Sequence, residues 1–435
     1  MAVAGPSADC AGSGRPPGAR RGGIIAHGGL DGDDAMGATM IGTGVENVTV
    51  VRNGVPVLDD VTLGVADGEL LVVLGPSGSG KSSLLRAMAG LDDVGSGRVL
   101  IKGRDVTALP PGKRRVAMVF QAAALIPFLD VSRNLGWGLR AQRLPEPEVR
   151  ARVSGRVRQL RLGRLLSRRP GELSEGERGL VGVGRALVQV PDVFLLDEPL
   201  AGLDAARRTS VRQEIVGVVR SLGVPTLYVT HDQAEGLAIA DRVALLHEGS
   251  VLQVGPPMDL YERPVDLVAA GFVGSPQIGL LPARLVSAGG QGGFVVGDRT
   301  LPMWQPVPPP LHGHVGRDVV LGLRAEDVTD AAGGHDPDAV ALDGVVTDAE
   351  YTGRQYVVTV AVEAPPVTAP GSGPGAGRPT LHALLPPHTA VKPGTAMRVA
   401  VRASTAHVFD AATGRALWHP RDGEDVLSDP APDRR

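Results

Sequence analysis

Residues 75–82 read Gly-Pro-Ser-Gly-Ser-Gly-Lys-Ser and fill the pattern G-x-x-x-x-G-K-[ST], which constrains this chain more than any other feature. An apolar run, Gly-Glu-Leu-Leu-Val-Val-Leu at 68–74, precedes the loop, and a segment of helical period, 81–91, follows it. Strand, glycine-rich turn and helix in that order open an α/β nucleotide-binding domain. The glycines allow backbone N–H groups to curl round phosphate oxygens without Cβ clashes. The helix points its positive end at the same anion. The predicted cradle is Gly75, Pro76, Ser77, Gly78, Ser79, Gly80, Lys81, Ser82 and Ser83. Lys81 is placed for the β- and γ-phosphates, and Ser82 for Mg²⁺. A glycine-rich turn alone would bind nothing; the strand, the helix and the Lys-Ser offset give it chemistry.

Val-Phe-Leu-Leu-Asp-Glu-Pro at 193–199 supplies a complementary element. A buried strand ends there in two carboxylates. Asp197 is expected to hold Mg²⁺ directly or through water. Glu198 is then placed to act as general base on an attacking water. By itself such a pair reads as a solvated turn or a helix cap. With the phosphate cradle it becomes the metal-and-base element.

Further apolar strands fall at 116–120, 193–197, 226–230 and 243–249, separated by helical patterns, which predicts a mostly parallel sheet covered by helices. Upstream, 45–65 reads as two strands turning at Asn53-Gly54. Beyond about residue 280, short β-type runs at 316–324, 356–363, 381–385 and 397–402 alternate with Gly/Pro/Asp turns and predict a small all-β domain. Stretches 333–339 and 364–379 read as flexible loop insertions. The expected organisation is therefore a disordered extension at 1–44, an ATPase-type domain with its joining segment at 45–279, a β domain at 280–420 and a flexible tail at 421–435.

A net charge of -3 gives no electrostatic reason to expect nucleic-acid binding. The single Cys10 cannot form an internal disulfide. No apolar run approaches the ~18 residues of a membrane span, and Arg20-Arg21 are not followed by the apolar core of a signal peptide. A cytoplasmic location is the expectation.

Several further segments, in order, resemble those of ABC transporter ATPases. Val-Phe-Gln at 119–121 looks like the Q-loop. Leu-Ser-Glu-Gly-Glu at 173–177 and the helix after it resemble the LSGGQ signature. Leu-Ala-Gly-Leu-Asp at 200–204 looks like the D-loop, and 228–249 is similar to the H-loop segment. The stretches 249–285, 321–328 and 407–417 are similar to the joining segment and accessory domain of carbohydrate-uptake importers of the maltose and glycerol-3-phosphate type. The resemblance spans roughly 45–420 and implies a P-loop NTPase domain followed by an all-β OB-like accessory domain of the TOBE/MOP kind.

It also implies roles. Gln121 senses Mg²⁺ and the water, and His231 contacts the γ-phosphate. Ser174 and the Gly176 amide reach the γ-phosphate across a head-to-tail dimer. The ATPase partner is the same chain or a homologous one. Two transmembrane permease subunits ride on the dimer, docking near 122–131, and an extracytoplasmic solute-binding protein acts indirectly. The chain would then sit at the cytoplasmic face of the plasma membrane.

Three departures from the family pattern stand out. Glu175 replaces a glycine and either repels the opposite γ-phosphate or points to solvent as an early-helix anion. Glu177 replaces a glutamine. Arg52 takes the place of an adenine-stacking aromatic and either stacks on the base or is a solvated strand-end arginine. Two other functions stay open at this stage: a weakly hydrolysing regulatory subunit, and the ATPase of an inorganic-ion importer.

Overall fold

The computed structural model describes residues 41–120, 124–288, 291–303, 306–333, 338–372 and 378–420. Most of the expected N-terminal extension, all of the tail and parts of both expected loop insertions lie outside these residues.

β1 (Thr43–Arg52) and β2 (Val55–Val65) pair antiparallel about Asn53-Gly54. These two turn residues have φ of 50° and 79°, the left-handed pair of a type I′ turn. β3 (Leu70–Leu74) starts a second sheet, while β4 (Ser96–Ile101) and β5 (Arg104–Asp105) extend the first in the order β2-β1-β4-β5. The second sheet continues with β6 (Val116–Val119), β7 (Val193–Asp197), β8 (Thr226–Val229), β9 (Arg242–His247) and β10 (Ser250–Gly255). Its order is β10-β9-β3-β8-β7-β6, parallel except where β10 meets β9. Helices α1 (Lys81–Ala89), α2 (Val131–Ala141), α3 (Glu146–Gln159), α4 (Glu175–Leu187), α5 (Ala205–Leu222) and α6 (Gln233–Ile239) lie between the strands in sequence.

The central strands read as unbroken apolar runs because both faces are covered. Along β3, Leu70, Val72 and Leu74 face a core shared with α2, α4 and α5, whereas Leu71 and Val73 face one shared with α1 and the β1–β2 hairpin. The parallel register sets Val73 opposite Val229 and Asp197 opposite Val229. β3, β7 and β8 therefore finish level, and the loops at 75–80, 198–204 and 230–232 leave from one edge of the sheet.

α7 (Pro257–Glu262) and α8 (Leu267–Phe272) lead to an all-β region. It contains β11 (Gly279–Ala288), β12 (Gln291–Val296), β13 (Arg299–Pro302), β14 (Asp318–Leu323), β15 (Thr329–Asp330) and β16 (Val340–Tyr351). β17 (Tyr356–Val362), β18 (Thr380–Leu385), β19 (Ala396–Val401), β20 (His407–Asp410) and β21 (Ala416–Trp418) follow. They form antiparallel sheets in the orders β13-β12-β11-β14-β20-β21 and β15-β19-β16-β17-β18, and both contribute to one apolar core that includes Leu281, Phe294, Leu321, Val360 and Val399. The four expected β runs correspond to β14, β17, β18 and β19; β11, β12, β13 and β16 were not anticipated.

Part of the stretch expected as a flexible insertion is packed. Val367 and Ala369 are buried with Leu267 and Ala270 of α8, Val320 and Phe409. Arg324, at the end of β14, crosses the same junction. Its guanidinium donates to the carbonyls of Ala270 (3.3 Å), Val273 (2.5 Å) and Tyr261 (2.8 Å) and lies over the Tyr261 ring at 4.0 Å. The Tyr261 hydroxyl in turn donates to Glu326. This buried fork satisfies carbonyls near the ends of two helices with one planar cation. Arg324→Met strips those donors and is expected to cost about 2–4 kcal/mol in denaturant unfolding; an unchanged midpoint would contradict the assigned role.

Candidate functional site

Two glycines of the 75–80 loop have no tolerated substitute. A Cβ on Gly75 would lie 2.1 Å from the Leu246 carbonyl oxygen, and one on Gly80, at φ 105°, would lie 2.5 Å from the Val57 oxygen. The backbone is thereby packed against β9 and β2, and the loop is held in a tight curve. Gly80 caps α1 without any side-chain hydrogen bond, so no side chain competes for the first amides of that helix. Ser79 Oγ is buried and has no partner. An orphaned hydroxyl inside a curved backbone nest, at an uncapped helix start, fits phosphate oxygens.

Lys81 is buried, and its ammonium donates to the carbonyls of Gly75 and Pro76, each at 2.8 Å. It straps the loop and stays beside the nest. Burial pulls its pKa below the ordinary range, against the opposing attraction of Glu198 and Asp197. Ser82 is exposed at the cradle mouth and donates to Asp197 Oδ1 at 3.1 Å. Ser83 is buried on the helix one residue further on, and Pro76, Ser77 and Gly78 form the exposed rim.

Asp197 closes β7 and is buried, which pushes its carboxyl above the usual range; the Ser82 hydroxyl opposes that shift and the neighbouring Glu198 charge adds to it. A carboxylate held out of water beside a serine hydroxyl offers two hard oxygen donors to a small divalent cation. The donor set therefore suits Mg²⁺, which commonly keeps water and substrate phosphates in its shell.

Glu198 has φ 45°, unusual for a residue with a side chain. Its N–H donates to the Val229 carbonyl at 2.9 Å, which prolongs the β7–β8 ladder by one bond. The backbone then turns away and leaves the carboxylate facing His231, with Nδ1 to Oε1 at 3.2 Å. His231 follows β8 and its side chain is 67% exposed, so it stands at the rim rather than in the core. Lys81, Ser82, Asp197, Glu198 and His231 are thus brought to one edge. Gln121 lies outside the described residues.

The signature-like segment forms a capping box. The Ser174 hydroxyl accepts from the Glu177 N–H at 3.3 Å, and the Glu177 carboxylate accepts from the Ser174 N–H at 3.1 Å. That backbone bond holds the Glu177 carboxyl below the usual range, with Arg168 and Arg164 adding to the effect. Glu177 thus has a local structural use. Gly176 is buried against the 200–204 loop, where a Cβ would sit 2.8 Å from the Gly202 oxygen. Glu175 is exposed and lies alongside Gly202. Arg52 is turned to Asp92, which also accepts from Arg86 at 3.0 Å. The Arg52 side chain stays 46% exposed in this ion pair.

Sequence reading missed the groups behind His231. The Tyr228 hydroxyl donates to the buried Glu235 carboxylate at 2.5 Å, and Asp232 caps α6 by accepting from the Glu235 N–H at 2.9 Å. The sequence showed the apolar period of β8 and the likeness of 228–249 to an H-loop segment, not these side-chain ties. Burial pushes the Glu235 carboxyl above the glutamate range, against the Tyr228 hydrogen bond. The folded chain then holds that proton more tightly than the unfolded one. Stability falls as pH rises from the ordinary glutamate pKa through the raised folded value, and stays lower above it. Glu235→Gln, neutral throughout, is expected to gain on the wild type in unfolding free energy over the pH window that opens above the ordinary glutamate pKa. A wild-type advantage that grows over that window would contradict the assignment.

Comparisons with known proteins place the chain in a family. The ABC transporter family model matches residues 58–201. The sn-glycerol-3-phosphate import ATP-binding protein of Cereibacter sphaeroides is 39% identical over 368 residues, covering 84% of this chain and 96% of that protein. The diacetylchitobiose uptake system ATP-binding protein of Streptomyces coelicolor is 38% identical over 372 residues, covering 83% and 95%. The maltose/maltodextrin import ATP-binding protein of Yersinia pestis is 40% identical over 308 residues, covering 70% and 81%. With likeness sustained over nearly the whole of such relatives and a phosphate cradle facing a carboxylate pair, this chain belongs to the ABC transporter family, among its ATP-hydrolysing import subunits.

Proposed function

We propose that the chain hydrolyses Mg·ATP at the edge formed by the ends of β3, β7 and β8 and couples the reaction to uptake of a carbohydrate or related polar solute. The observation that carries the site assignment is the convergence of Lys81, Ser82, Asp197, Glu198 and His231 there. The amides of 75–80 and the start of α1 bind the phosphates, and Lys81 exchanges its two carbonyl partners for β- and γ-phosphate oxygens. Ser79 gains its missing partner in the same cradle. Ser82, Asp197 and Gln121 would hold Mg²⁺, which when bound would neutralise charge on the transferred phosphoryl group. Glu198 orients the attacking water and takes its proton, while His231 contacts the γ-phosphate and steadies the carboxylate. Arg52 can serve as a base platform only together with, or released from, Asp92.

Two ATP molecules are bound between head-to-tail protomers in this reading. Ser174 and the Gly176 amide reach the partner's γ-phosphate from the capped start of α4. The exposed Glu175 favours the solvent-facing alternative for that residue, and the Glu198–His231 pair favours hydrolysis over a purely regulatory role. The division we place at about residue 280 separates the ATPase from an accessory domain whose antiparallel sheets are compatible with an OB-like TOBE/MOP fold.

Permease subunits dock beside α2. There the fully buried Asn134 bonds Ile126, Leu129 and Asp130 and braces a loop whose Phe128 is 72% exposed; Trp137 of α2 is exposed as well. No helix among the described residues is long and apolar enough to cross a membrane. In this reading the chain attaches peripherally at the cytoplasmic face through those partners. The printed functions of the relatives, import of glycerol-3-phosphate, diacetylchitobiose and maltodextrin, favour an organic solute over an inorganic ion. Glu198→Gln is expected to keep Mg·ATP binding while lowering turnover by about 10²–10⁴-fold, read by phosphate release beside a nucleotide-binding titration. Wild-type turnover in that variant would reject Glu198 as the base.

A further inference from the structure

The 200–204 loop begins two residues after Glu198 and is folded as consecutive turns. The Ala201 N–H donates to the Glu198 carbonyl at 3.1 Å, and the Leu203 N–H to the Leu200 carbonyl at 3.2 Å. Arg208, in the first turn of α5, reaches back over its far end and donates to the Leu203 carbonyl at 3.1 Å. A second guanidinium nitrogen of the same side chain donates to Asp232 Oδ2 at 3.5 Å. Asp232 is next to His231, and its own N–H is fixed on Thr230 Oγ1 at 3.0 Å. One planar cation therefore connects the loop that starts at Glu198 to the turn that carries His231. Both loops also wall a small cleft with Glu198, Thr230, His231 and Glu235.

We infer that Arg208 is a positioning residue for hydrolysis: by bridging Leu203 and Asp232 it sets the Glu198–His231 contact. The inference rests on the proposed roles of that pair. His231 is mostly exposed, and Glu198 occupies a left-handed backbone that its own side chain disfavours. The loops beneath them contribute to how the two side chains are placed relative to each other. One direct tie between those loops is this fork, whose rigid planar donors can meet a carbonyl and a carboxylate at once.

Stability and rate separate this role from a generic structural one. The Arg208–Asp232 pair is partly exposed at 40% and 33%, so it adds little to folding. A displacement of about 1 Å between reacting groups, in contrast, can cost up to about 10²-fold in rate. Among the described residues the hydrogen bonds and ion pair of Arg208 go to Leu203 and Asp232 and none to 75–82, so nucleotide affinity is expected to be spared.

The test uses the full chain with its permease partners. Turnover, KM, Mg·ATP binding and thermal midpoint are measured for the wild type, Arg208→Ala, Arg208→Lys and Asp232→Asn, with Glu198→Gln as reference. Arg208→Ala is expected to lose about tenfold or more in kcat, with KM and binding within about twofold and the midpoint nearly unchanged. Arg208→Lys should recover at least about threefold over alanine, since one ammonium can serve one of the two acceptors. Asp232→Asn, which keeps the helix cap, should fall between wild type and Arg208→Ala.

Wild-type kcat in Arg208→Ala overturns the inference. So does a loss of kcat accompanied by an equal loss of nucleotide binding. If the alanine variant does not fold, Arg208→Lys and Asp232→Asn decide, and wild-type kcat in both overturns it. An active Glu198→Gln would sink the underlying reading of the site. An inactive Glu198→Gln beside a fully active Arg208→Ala would remove this inference alone.

Discussion

The parallel register among β3, β7 and β8 is the constraint on which the rest depends. Val73 and Asp197 both stand opposite Val229, so three strands distant in sequence stop at one level. Hydrogen-bonded ladders tolerate little slippage when both faces are buried, because a one-residue shift would exchange the two cores that flank the sheet. The phosphate loop, the carboxylate pair and the histidine are held together by this shared ending, although 115 residues separate Ser82 from Asp197. Ligand sites at the carboxyl ends of parallel strands follow from such geometry.

The edge of the sheet concentrates groups that water would ordinarily keep apart. Lys81 and Asp197 are both buried, and burial shifts each toward its neutral form. The ammonium is satisfied by loop carbonyls and the carboxylate by a hydroxyl, partners that a triphosphate and a cation can replace. The protein thus holds the site in an ordered arrangement before the reactants arrive, which limits the reorganisation left for the chemical step. Farther from the edge, the Arg324 fork ties the helices after β10 to the all-β region, so the same chain carries both the ATPase edge and the accessory sheets.

Local chemistry was legible in the sequence wherever a short pattern encodes its own geometry. The Asn53-Gly54 turn, the glycine loop with Lys-Ser, and a strand ending in two acids all carry their meaning within about ten residues. What escaped was set by distant partners. Nothing near Arg52 announces Asp92, forty residues on. The glycine-rich and proline-rich texture around β11 to β13 hid strands that antiparallel pairing stabilises, and 364–372 looked flexible although Val367 and Ala369 pack on α8. Arg208 has the composition of any polar residue in the first turn of a helix; only the approach of Leu203 and Asp232 from two loops gives it a use.

The central claim is that the nest at 75–82, with its lysine, grips the terminal phosphates of a nucleotide. Calorimetric titration of the purified chain with Mg·ATP, beside Lys81→Ala, addresses it most directly. Saturable binding by the wild type, weakened by about tenfold or more in the variant, is the expected result for loss of one charge-assisted contact. Equal affinity in the two proteins, or no uptake of Mg·ATP by the wild type even with its permease partners present, would contradict the account.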